Sequence, residues 1–224
     1  MKIVLSHLIK DEIKKYFEEK GMELIYTMPF FDYTNSSLLH PDIQCFYDSG
    51  VFYTASNLHN YYKKFFSNIS VSKKELKGIY PDDALFNCLK IKNKIFCNEK
   101  YLDKSLLREL SKKYEIINVN QGYTNCSSLY IGKNIVITSD NGMKNTFLKN
   151  GLDVFFIDNI NIKLKGFKNG FIGGCAINTG EEIVFFGKLE NELKKVKNLL
   201  EENQIKYKEF DFPLEDFGSA ILIK

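Results

Sequence analysis

One phrase recurs along this chain and limits what the chain can become. A run of about four β-branched or aromatic residues leads into an amphipathic stretch, and a second short apolar run follows. It is clearest in NIVITSDNGMKNTFLKNGLDVFFID, residues 134–158, and it returns from Gly50, Asn93 and Glu181. The chain also opens with it, at Met1. Leu189, Leu193, Val196 and Leu200 share one helical face, as do Leu102, Leu106 and Leu110, and Ile9, Ile13 and Phe17. Gly21 and Gly151 fall where a helix C-terminus favours a residue at ease with positive φ. Five strand–helix–strand units are therefore expected.

In four of these units another strand-like run comes first: DIQCFYDS, DALFNCLKIK, NCSSLYIG and GGCAINTG. The unit at Met1 lacks it. The chain ends, however, on EDFGSAILIK, which has that strand's pattern and no helix after it. A ring satisfies both observations. If the C-terminal strand pairs beside the N-terminal one, the fifth ββαβ unit is completed and most open sheet edges disappear. The alternative is an ordinary open α/β sheet whose units look alike because all strand–helix–strand units do.

Composition excludes several classes. The 31 basic and 28 acidic residues interleave, as in KDEIKKYFEEK and KLENELKKVKNLLEEN, and read as solvated helix faces. No nucleic-acid partner is expected. The first residues, MKIVLSHLIKDEIKKYFEEKG, turn charged before a signal-peptide apolar region develops, and no run approaches the roughly 18 apolar residues of a membrane helix. No membrane association and a cytoplasmic location are expected. The five cysteines (45, 88, 97, 126 and 175) lack metal-type spacing, and an odd number suits reduced thiols. The three histidines, His7, His40 and His59, are scattered, and GFIGG lacks the spacing of a nucleotide-binding loop. Neither a cofactor nor a metal is expected. With 4 Pro and no Ser/Gly-rich tract, residues 1–224 are read as one domain.

Five ββαβ units in a ring resemble the pentein fold, a closed five-bladed pseudo-symmetric α/β propeller. That fold is shared by arginine deiminase, dimethylarginine dimethylaminohydrolase, amidinotransferase and the ribosome anti-association initiation factor. Local strings sharpen the resemblance: HPDIQ from His40, YPDDALFN from Tyr80, QGYTNCS from Gln121, ITSD from Ile137, GFIGG from Gly170 and GSAILI from Gly218. Together they resemble an uncharacterised, largely clostridial family with this fold. That family commonly carries Thr after GFIGG and Cys one place later, whereas here Cys175 follows directly. In pentein enzymes the nucleophilic Cys lies near the C-terminal strand. Here Ser219 stands there, and their GH-x-D-type His motif is not evident.

Each string sits at the start of a unit's first strand, and in a ring such ends converge on the axis. His40, Asp42, Asp83, Asn87, Gln121, Cys126, Cys175 and Asp216 are therefore candidates for one axial pocket. The resemblance implies chemistry for such a set. Carboxylates would grip a guanidinium by charge-assisted hydrogen bonds, a Cys thiolate (Cys126 or Cys175) would attack its central carbon, and His40 would shuttle protons. Asp42, Asp83, Asn87, Gln121 and Asp216 would bind the ligand. The competing readings are structural: buried inert thiols, turn-capping Asp and His, and glycines (Gly122, Gly173, Gly174) that only let backbones approach. Cys45, Cys88 and Cys97 sit in strand-like runs and read as core. Three functions remain open: a guanidine-modifying hydrolase or transferase, a non-catalytic pocket for a small cationic metabolite, and a macromolecular-interface protein.

Overall fold

The computed structural model describes residues 1–29, 36–157 and 162–224, which form five three-stranded sheets of one design. Strand β1 (Lys2–Leu5) runs through helix α1 (Asp11–Glu19) to its parallel neighbour β2 (Glu23–Tyr26). A single helical turn, α2 (Pro41–Gln44), precedes the antiparallel pair β3 (Cys45–Asp48) and β4 (Val51–Thr54). The short α3 (His59–Tyr62) then leads to β5 (Ile69–Val71). The plan repeats in β6 (Cys88–Ile91), β7 (Lys94–Cys97), α4 (Lys104–Ser111) and β8 (Glu115–Asn118). It repeats again in β9 (Ser128–Gly132), β10 (Ile135–Thr138), α5 (Asn141–Lys149) and β11 (Asp153–Phe156). The fourth copy is β12 (Ala176–Asn178), β13 (Ile183–Phe185), α6 (Lys194–Glu202) and β14 (Tyr207–Lys208).

The last strand, β15 (Ile221–Ile223), pairs antiparallel with β1, with Lys2 opposite Ile223. The fifth unit is thus made from both chain ends, and the ring expected from the sequence is the ring observed. Each first strand sends at least two residues, Tyr47, Lys90, Tyr130, Ile177 and Leu222 among them, into a single depression of about 350 Å³, so these five strands surround a common axis.

The physical reasons are local. Middle strands are buried on both faces, which is why they read as continuous apolar runs such as IVIT and KIFC. Outer strands are half exposed. Asp103 caps α4 by accepting from the Ser105 and Leu106 amides, and Asp140 caps α5 by accepting from the Met143 amide. Helix α1 ends in a Schellman turn: Gly21, at φ +71°, donates to Glu18 O and Met22 donates to Phe17 O.

Two expectations need correction. The DIQ and GGC stretches are a helical turn and a 3-10 turn, with strand starting only at Cys45 and Ala176. Pro41, with φ already set for a helix, starts the first of these turns. The helix expected after Gly50 is one 3-10 turn plus one α turn. There Ser56 and Asn57 donate side-chain hydrogen bonds to Lys74 O and Leu76 O, anchoring a loop instead of extending a helix.

Candidate functional site

The five first strands are each entered through a segment that passes near the axis; four of these segments hold one another by backbone hydrogen bonds, and the fifth joins them through the Asn87 side chain. Asp42 N donates to Gly218 O (3.4 Å), Gly173 N to Cys126 O (2.7 Å), and Ser219 N to Gly174 O (2.7 Å). Such approach needs glycine. A Cβ on Gly174 would overlap the Asp216 carboxylate, and one on Gly218, at φ +73°, would overlap His40. Gly173 is equally confined, against the Asn125 and Ser128 carbonyls. Gly173 and Gly174 were legible in the sequence as close-approach positions, whereas Gly218 was not.

Beside this knot lies a cavity of about 230 Å³. Its chemical floor is Cys126, His40 and Asp216, contributed by three different units. Ile43, Leu164, Tyr123 and Phe171 wall it, and Phe167, 48% exposed, stands at its mouth. Ser37 and Asn169 supply the remaining polar lining.

The Cys126 thiol donates to Asp42 Oδ2 at 2.7 Å, and Asn87 Nδ2 donates to the same sulfur at 3.3 Å. Asn125 Nδ2 donates to Asp42 Oδ2 (3.0 Å), and Asn87 Oδ1 accepts from the Asn125 amide (2.7 Å). Asp42 and Asn87 therefore sit behind Cys126 and orient it, without lining the cavity themselves. The other Asp42 oxygen, Oδ1, is buried with no hydrogen-bond partner. Burial pushes the Asp42 carboxyl up to about 6, against the lowering effect of His40 and of hydrogen bonds from Asn125 and Cys126. Burial, then the Asp42 and Asp216 charges, pushes the Cys126 thiol well above its ordinary value.

His40 Nδ1 lies 3.8 Å from Asp216 Oδ1. Asp216 accepts from the Gly218 amide through Oδ1 (2.9 Å) and from the Phe171 amide through Oδ2 (2.8 Å). An ionised carboxylate has about four acceptor sites, so each oxygen keeps capacity toward the cavity. His40, Asp42 and Cys126 also offer one nitrogen, one oxygen and one sulfur within 4.8 Å of one another, a set able to hold a divalent cation. Sequence spacing gave no hint of this set, because its members come from residues 40, 42 and 126.

The remaining candidates fall elsewhere. Asp83 accepts from the Tyr123 hydroxyl (2.7 Å), so it acts one step back from the cavity wall, and burial raises its carboxyl. Gln121 does not reach the cavity: its Nε2 donates to Asp140 Oδ2 at the start of α5 (2.9 Å), and its Oε1 accepts from the Tyr123 amide. Cys175 does not reach it either. Its thiol donates to Ile172 O (3.1 Å) within an apolar cluster of the fourth unit, and burial raises its pKa. Cys45, Cys88 and Cys97 are buried free thiols of the core, as expected. Tyr123, Phe171 and Phe167 were missed as site residues. The first two lie inside the quoted strings, but Phe167 belongs to a loop with no strand or helix signal.

A family model described as "Family of unknown function (DUF6873)" matches residues 4–221. A search of curated protein sequences finds no match. Among solved structures, the amidinotransferase SxtG of the saxitoxin biosynthetic pathway from Microseira wollei is similar at a TM-score of 0.63 and 10% identity, over 96% of this chain and 78% of its own. DDAH from Pseudomonas aeruginosa, complexed with citrulline, is similar at 0.55 and 9%, over 94% and 91%. The agmatine deiminase of C. jejuni is similar at 0.52 and 13%, over 93% and 74%. At these identities the likeness establishes the fold, which is the pentein propeller. No helix among the described residues is long and apolar enough to cross a membrane.

Proposed function

Because the chain belongs to the DUF6873 family of unknown function, its activity has to be read from its own residues, and we propose that the axial cavity binds a small planar cation of the guanidine or amidine type. The observation that carries this reading is the meeting of Cys126, His40 and Asp216 in one largely apolar cavity. A carboxylate facing a partly open, aromatic-walled space suits a flat cation, which gains charge-assisted hydrogen bonds from the carboxylate and attraction from the ring faces. The solved structures of similar fold include amidinotransferases and a deiminase of a guanidino compound, which supports the same ligand class.

In the catalytic form of this reading, Cys126 is the nucleophile. Asp42 takes the thiol proton as the Sγ–C bond forms at the central guanidinium carbon. Collapse of the tetrahedral adduct breaks one C–N bond as the imidazolium form of His40 gives its proton to the departing ammonia or amine. Water, or an acceptor amine, then displaces the sulfur, losing a proton to His40, while Asp42 returns its proton to the Cys126 sulfur. Asp216 holds the remaining N–H groups throughout.

A specific observation favours a second reading, binding without chemistry: the Cys126 thiol is pushed up rather than down, so the empty site holds it protonated.

Calorimetric titration with guanidinium and with urea, its neutral isostere, tests the shared claim. Guanidinium is expected to bind, urea not, and Asp216→Asn to lose the difference. Equal binding of both, or of neither, sinks the proposal. Cys126→Ser separates the two forms: it retains guanidinium binding in both, and it abolishes amine release only if the protein is an enzyme.

A further inference from the structure

Resting on the cation-site reading, we infer that the ligand carries no carboxylate and bears an aromatic or bulky apolar arm on its guanidine or amidine head. Two independent features of the cavity lead there.

The first is its charge inventory. Among the described residues, Asp216, His40 and the Tyr123 phenol are the ionisable polar groups on its surface besides the Cys126 thiol, and no Lys or Arg lines it. Residues 30–35 and 158–161, outside the description, contain no Lys or Arg in the sequence. Lys165 and Lys168 flank Phe167 in the chain, but both are exposed. An amino-acid ligand such as arginine would bring its carboxylate against the carboxyl group of Asp216. Ser37, Asn169 and His40 offer hydrogen bonds, but among the described residues no Lys or Arg lines the cavity to offset the lost hydration, and like charges repel.

The second is an aromatic path from floor to surface. Phe171 and Tyr123 wall the cavity with ring centroids 6.3 Å apart. Tyr80 continues it, 5.4 Å from Tyr123 and 5.2 Å from Tyr101. Tyr80 is 45% exposed, Ile79 beside it 77%, and Phe167 at the mouth 48%. Among the described residues five large apolar side chains are this exposed, and three of them, Ile79, Tyr80 and Phe167, border this path or its mouth. A head group held at Asp216 directs its substituent along these rings, where aromatic contact and apolar burial reward it.

The experiment is calorimetric titration of the full chain with guanidinium, benzylguanidine, agmatine and arginine, with EDTA present to keep metal off Cys126. Benzylguanidine is expected to bind tightest, about tenfold or more tighter than guanidinium, with arginine weakest. Phe167→Ala, at a half-exposed position that folding tolerates, is expected to narrow the gap between benzylguanidine and guanidinium. If arginine binds as well as or better than benzylguanidine while guanidinium still outbinds urea, the inference falls and the cation site stands. If no guanidinium compound binds, both fall together.

Discussion

Cys126 and Asp42 form the contact on which the site turns. A buried thiol donating to a buried carboxylate is an arrangement with little slack: the acid needs the donor, and the thiol needs an acceptor. Asp42 is held near 6, above the ordinary carboxylate value, so the folded protein binds this proton more tightly than the unfolded chain. A raised carboxyl costs stability while both states are ionised, and the cost fades as pH falls from about 6 toward 4. The melting temperature is therefore expected to rise as pH drops from about 7.5 to 5, a gain of about 1.4 kcal/mol for one pH unit below the folded value. Asp48 cannot mask this. Burial pushes it up, but hydrogen bonds from Lys90, Tyr114 and Ser49 outweigh that and hold it at about 2, so its stabilising effect is lost only below the window. Asp42→Asn should flatten the profile, and a wild-type profile already flat between these limits would contradict the assignment. His40 and Asp42 were legible as candidates because HPDIQ leads into a first strand, whose entry a ring brings to the axis. That they meet Cys126, more than 80 residues away, was legible only once the ring was assumed, since nothing local to TNCSS announces a partner.

Among the elements, the segments entering the first strands supply the Cys126, His40 and Asp216 of the candidate site, and the strands and helices hold them in place. The sequence made the helices readable through their apolar faces and the middle strands through their apolar runs, because burial imposes both patterns. It did not make the entering segments readable as turns. DIQ and GGC resemble strand starts, and their conformation follows from neighbours across the axis. The same reason hid the fate of Gln121, drawn to Asp140, and of Cys175, drawn into the core of its own unit. Two substitutions separate supporting from site-forming elements. Phe147→Ala, at a fully buried position on α5, is expected to cost about 3–5 kcal/mol in denaturant unfolding, with guanidinium affinity in the remaining folded protein unchanged. Gly174→Ala forces a Cβ against the Asp216 carboxylate and is expected to cost about 2 kcal/mol while also weakening guanidinium binding. Unaltered binding in the Gly174 variant would mean that Asp216 is not the grip.

At the scale of the molecule, pseudo-symmetry explains why residues from all along the chain reach one place. Each unit delivers its entering segment to the axis, and three of the five segments supply one cavity with a thiol, an imidazole and a carboxyl group. The closing strand pair puts Lys2 opposite Ile223. A circular permutant that joins Lys224 to Met1 through a short Gly-containing turn, and opens the chain between Lys92 and Asn93 in the β6–β7 hairpin, should keep the fold and the cavity. An unfolded permutant would show that closure through β15 and β1 cannot be exchanged for closure elsewhere. The central claim is that Cys126 faces a cavity shaped for a planar cation. Its most direct test is the iodoacetamide labelling rate of each of the five cysteines across pH, read by peptide mass spectrometry, with and without guanidinium. The account predicts that Cys126 labels ahead of the four core thiols, increasingly toward high pH, and that guanidinium slows it while urea does not. Labelling of Cys175 ahead of Cys126, or a Cys126 rate indifferent to guanidinium, would contradict it.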